Sequence, residues 1–197
     1  MAGNTENDGR RGVSRWRIAA WTAAGLILLL PLIAMQFSDE VAWDVTDFIV
    51  FGALLGGVGV TFELAVRMTG DIAYRAAVGV ALAGTFLLVW VNGAVGLIGS
   101  EGNDANLMYF GVLAVGIVGA IIARFQPHGM ARALFATALA QALVAMIALI
   151  AGWGSPGSGA FEIVALNGFF VALFVGSALL FREAARARTP VGEGAED

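Results

Sequence analysis

Glu63 is the residue whose type and position most invite chemistry. It stands inside an apolar run, 48–68, where a carboxylate is costly and by default marks an ion or proton path. Arg67 follows four residues later, in the acid-first order that favours a helical ion pair. Two readings therefore compete: an intramembrane carrier group, or a carboxylate paired near a helix end.

Asn92 and Asn167 form a second constellation. Both occur as Asn-Gly, in VWVNGAVG and IVALNGFF. Each lies about seven residues, or roughly 10 Å, from the expected outer end of its helix, so the two should share one depth. Tyr109, Gln141 and Glu162 complete a candidate polar layer, pictured as a pocket opening outward below Glu101 and Glu162. Such a layer binds a small solute or ion, or the amides simply bond to each other across helices. His128, in Gln-Pro-His-Gly, reads as a solvated turn residue.

What is missing excludes most enzymatic chemistry. The chain has no cysteine and no lysine, and a single histidine. Thiolate metal sites, Fe–S clusters, thiol redox chemistry and lysine imines are thereby removed. An H-E-x-x-H zinc site cannot be written either. No catalytic residues, no metal site and no cofactor are expected.

These groups need a scaffold, and composition names its class. The 197 residues are 59% hydrophobic and 13% charged, against about 45–50% and about 25% in soluble domains. That is too little charge for a soluble surface, and the chain reads as a polytopic membrane protein with no nucleic-acid partner. A bilayer crossing takes about 20 apolar residues. Six runs fit: 18–36, 48–68, 76–98, 107–123, 133–151 and 163–181. None alternates as a membrane strand must. The expected fold is all-α, an integral bundle of six transmembrane helices over 16–183, between disordered tails at 1–15 and 184–197. The first run exceeds a signal-peptide core and reads as a retained helix bent by Pro31. Asp47, Asp71 and Asn106 stand where N-caps belong, and Gly99 and Gly152 where helices should end.

Charge sets the orientation. All 11 arginines fall in the N-tail, the second and fourth loops, and the C-tail, which six spans place on one side. Short basic loops stay cytoplasmic, so both termini are expected inside. Asp39, Glu40, Asp44, Asp47, Glu101 and Asp104 fall on the other side.

Small residues mark faces where helices approach closely. Gly52, Gly56 and Gly59 lie on one face of the second span, and Gly168, Ala172 and Gly176 at four-residue spacing on the sixth. The stripes leave a homodimer or a membrane-protein partner open, besides the lipid bilayer itself.

The segment 88–101, LVWVNGAVGLIGSE, with LMYFGVLAVGIVGAIIARF and GMARALFATALAQALVAM after it, resembles a family of small bacterial polytopic inner-membrane proteins with no assigned activity. The resemblance implies a multi-span bundle in a bacterial inner membrane and carries over no functional residue. Two functions remain: a structural, accessory or assembly subunit, or a small-solute or ion carrier using the Asn92/Asn167 layer with Glu63.

Overall fold

The computed structural model describes residues 4–37, 42–154 and 159–188, with side chains from Arg17 onward. Asp39 and Glu40 of the expected acidic rim, and both chain ends, lie outside them. The described residues form six long helices, α1 (Asn4–Ala34), α2 (Val45–Met68), α3 (Ile72–Ala94), α4 (Met108–Ile122), α5 (Pro127–Ala151) and α6 (Ala160–Ala187). Each supplies a segment long and apolar enough to cross a membrane, α1 over Arg17–Ala34 and α4 together with the 3₁₀ turn before it, over Asp104–Ile122. The described residues contain no strand. The chain is an all-α, multi-pass membrane protein.

It divides into two compact units, Met1–Thr61 and Phe62–Asp197. In the first, α1 meets the glycine face of α2. A Cβ on Gly59 would lie 3.1 Å from the Trp21 ring, and one on Gly52 would lie 3.8 Å from Leu28. Gly56, between them, faces no such neighbour. Asp44 caps α2: its carboxylate accepts from Asp47 N–H at 3.0 Å, and the Asp47 carboxylate accepts from Asp44 N–H at 2.9 Å. This is a reciprocal capping box. The cap expected at Asp47 thus belongs to Asp44, with Asp47 as its return partner.

In the second unit α6 packs between α3 and α5, and α5 between α6 and α4. Phe170, Phe174, Ala178 and Phe181 of α6 fill the core with Ala77 and Leu88 of α3. Glycines set the closest approaches. A Cβ on Gly119 would fall 2.7 Å from Ala133 Cβ, and one on Gly116 would fall 3.2 Å from Thr137 Oγ1, which draws α4 onto α5. Across α3 and α6, Ser177 Oγ donates to the Ala77 carbonyl at 2.7 Å.

Four boundaries depart clearly from the hydropathy pattern. α3 stops at Ala94, not 98, because Gly96 turns left-handed (φ +75) and Asn106 takes over the next backbone groups. Asn106 Oδ1 accepts from Leu97 and Ile98 N–H, both at 3.0 Å, and its Nδ2 donates to the Ile98 and Ser100 carbonyls. Asn106 is therefore the staple of a folded loop and not an N-cap; Asn103 caps the short 3₁₀ turn Asp104–Leu107. α5 begins at Pro127, whose missing N–H suits a first helical position. His128 consequently sits in the first helical turn. α6 runs to Ala187, with Ala184 fully buried, so 184–187 belong to the bundle and not to a tail. α1 is likewise helical from Asn4, ahead of the expected 18–36. Asp71 and Gly152 cap α3 and α5 as expected.

Candidate functional site

The second unit brings three of the expected polar-layer residues together. Asn167, on α6, is the hub. Its Oδ1 accepts from Tyr109 Oη (α4) at 2.8 Å and from Gln141 Nε2 (α5) at 2.9 Å. Its Nδ2 donates to the Ile163 carbonyl one turn back, at 2.9 Å. All three side chains are sealed, none more than 1% exposed. The pocket does not open outward. The loop between α3 and α4 buries Leu97 and Ile98 at this end, and Asn103 Nδ2 donates to the Trp153 carbonyl at 2.9 Å, tying the loop to the end of α5.

Asn92 and Glu162 are not in this hub. Asn92 lies near the end of α3, because that helix stops at Ala94, and its Nδ2 donates to the Asn106 carbonyl at 3.3 Å. Glu162 is exposed in the first turn of α6. Among the described residues, two buried carbonyl oxygens, Asn92 Oδ1 and Gln141 Oε1, have no hydrogen-bond partner.

Glu63 and Arg67 do pair: Nη2 stands 2.6 Å from Oε1, with Glu63 18% and Arg67 60% exposed. The carboxylate is thus neither deeply buried nor free. The Gly168–Ala172–Gly176 stripe marks no close helix approach among the described residues. Gly168 and Ala172 are exposed, and a Cβ on Gly168 or Gly176 would meet nothing within 4 Å. The glycines that do bring helices together here, Gly84, Gly116 and Gly119, were legible only as further small residues among many.

At the opposite end Tyr74 is the organising side chain. Its hydroxyl donates to the Phe125 carbonyl at 2.8 Å, its ring stacks edge-on against Phe181, and the Arg188 guanidinium lies 5.4 Å from its centroid. Arg75 Nε and Nη2 donate to the Thr69 and Val66 carbonyls at 2.8 and 2.9 Å, closing the end of α2. The seven arginines of this unit (Arg67, Arg75, Arg124, Arg132, Arg182, Arg186 and Arg188) collect at this end, and Glu101, Asp104 and Glu162 at the other.

Compared with family models, curated proteins and solved structures, the chain has no match.

Among the described residues, no three His, Asp or Glu side chains gather as metal ligands would. The buried polar side chains are Asn106, Thr137, Gln141, Asn167 and Ser177, all neutral. Such groups fix helix register and hydrogen-bond small molecules; they do not relay protons as a carboxylate does.

Proposed function

We propose that this chain is a structural or accessory subunit of a membrane assembly, lying in a bacterial inner membrane with both termini in the cytoplasm. One observation carries the reading. Asn167, the polar residue best suited to a solute site, is enclosed and bonded to Tyr109, Gln141 and Ile163. The pairing of Glu63 with Arg67 supports it further. The small-residue face of α6 then serves as the contact for a membrane partner or a second copy. Orientation rests on the arginine distribution and the retention of basic loops in the cytoplasm.

Native mass spectrometry of the chain, gently extracted from its own membrane, tests this. A second protein or a second copy in fixed stoichiometry is the expected result. A lone monomer retaining a small solute or ion would overturn it and favour a carrier. The carrier reading has its own support in the unpartnered oxygens of Asn92 and Gln141. It requires Asn92→Ala to abolish flux into proteoliposomes while the protein still folds.

A further inference from the structure

Among the described residues, the seam between α5 and α6 carries arginines without an ion-pair partner at its arginine-bearing end. His128, Arg132 and Phe135 follow at four- and three-residue steps on α5, so they share one face. Arg182 and Arg186 do the same on α6. The Arg182 guanidinium lies 5.9 Å from the centroid of the Phe135 ring, which joins the two faces across the seam. Both Arg132 and Arg182 are exposed. Arg186 has Glu183 at 3.6 Å, but neither Arg132 nor Arg182 has a carboxylate within ion-pair distance among the described residues.

Depth and polarity agree. Arg132 stands five residues inside the start of α5 and Arg182 five residues inside the end of α6, about 7.5 Å in each case. Further along the same helices, two turns past Arg132 and about one turn past Arg182, Leu139 and Leu179 are 62% and 51% exposed. The arrangement is one guanidinium over an aromatic ring, a second arginine on the same face of α5 as that ring, and an apolar track beyond them.

We propose that this seam binds one anionic phospholipid, its phosphate held by Arg132 and Arg182 and an acyl chain laid along Leu139 and Leu179. Guanidinium groups match phosphate with paired, charge-assisted hydrogen bonds. A free phosphate would use the arginines but not the leucines, and a zwitterionic lipid would use the leucines without the net charge.

The test is native mass spectrometry of the full chain in neutral detergent, with phosphatidylglycerol and phosphatidylcholine at equal concentration and inorganic phosphate as competitor. One phosphatidylglycerol should bind in preference. Arg132→Gln/Arg182→Gln should weaken it by about thirtyfold, to the phosphatidylcholine level. Arg124→Gln removes a charge from the same end of the unit and should leave binding intact. Arg132→Lys/Arg182→Lys should keep the preference for the anionic lipid, which guards against a folding defect in the glutamine variant. Equal binding of both lipids, unchanged binding by the double glutamine variant, or displacement by millimolar inorganic phosphate would each overturn the proposal.

Discussion

Replacing Asn167 with leucine should unfold the bundle more readily than any other single change at the hub. The substitution removes the acceptor of both Tyr109 Oη and Gln141 Nε2, in a site no more than 1% exposed. A buried donor left unpaired costs about 1–3 kcal/mol in a soluble protein. Inside a membrane the average hydrogen-bond coupling is only about 0.6 kcal/mol, because the unfolded helices also find partners. Two donors then give a lower bound of about 1.2 kcal/mol, and the enclosed site raises the expectation to between that and about 3 kcal/mol. Tyr109→Phe removes one bond and should cost about 0.6–1 kcal/mol. Gln141→Leu differs in kind. It loses one bond, but it also removes Oε1, which has no partner. No amide reversal cures that deficit. Turning Gln141 alone sets its oxygen against Asn167 Oδ1, and turning Asn167 as well sets that oxygen against the Ile163 carbonyl. Gln141→Leu should therefore be neutral within about 0.5 kcal/mol, or stabilising. Reversible unfolding in mixed micelles, followed by the fluorescence of the five tryptophans, ranks the three variants. If Gln141→Leu destabilises as much as Asn167→Leu, the account of the hub is wrong.

Gly119→Ala puts a methyl 2.7 Å from Ala133 Cβ and should cost about 1–3 kcal/mol, whereas Gly168→Ala meets nothing and should be neutral or stabilising; the same unfolding assay separates them. Asn106→Ala leaves the Leu97 and Ile98 N–H groups unpaired, so amide exchange over 97–100 should accelerate while the α5–α6 core stays protected. Arg124 holds a left-handed conformation (φ 49) at the end of α4, where glycine is the usual residue; Arg124→Gly should raise the melting midpoint, by about 1 kcal/mol in stability.

Six helices were legible because a bilayer demands long apolar runs with their backbone bonds closed internally. The ends were less so, because they depend on side chains from elsewhere in the chain. Asn106 ends α3 by bonding backbone groups eight and nine residues away, and hydropathy contains no sign of that. The error propagates to the candidate site. Counting from a helix end at 98 puts Asn92 deep, level with Asn167; the true end at Ala94 leaves it near the rim, bonded to the loop. Tyr109, Gln141 and Asn167 meet in one hydrogen-bonded hub, and all three lie within helices, where 3.6-residue periodicity holds. Periodicity also marked both glycine stripes without saying which face is covered. Gly52 and Gly59 meet α1, while Gly168–Ala172–Gly176 turns away from its own unit.

The sorting of polar groups restricts which solutes a carrier reading allows. Within the described residues, every buried polar side chain is neutral, and the guanidiniums are gathered at one end of the second unit. Neutral amides hold helices in register without the desolvation cost of an ion pair. A proton-coupled carrier needs the opposite, a titratable group enclosed at mid-depth. Glu63, partly exposed and held by Arg67, does not supply one. A ligand in this bundle would have to be recognised as a hydrogen-bond donor or a cation, by carbonyl oxygens such as Asn92 Oδ1 and Gln141 Oε1. Glu63→Gln should accordingly leave any flux intact in proteoliposomes. A complete loss in that variant, with folding preserved, would restore the carboxylate as the working group and displace the accessory reading.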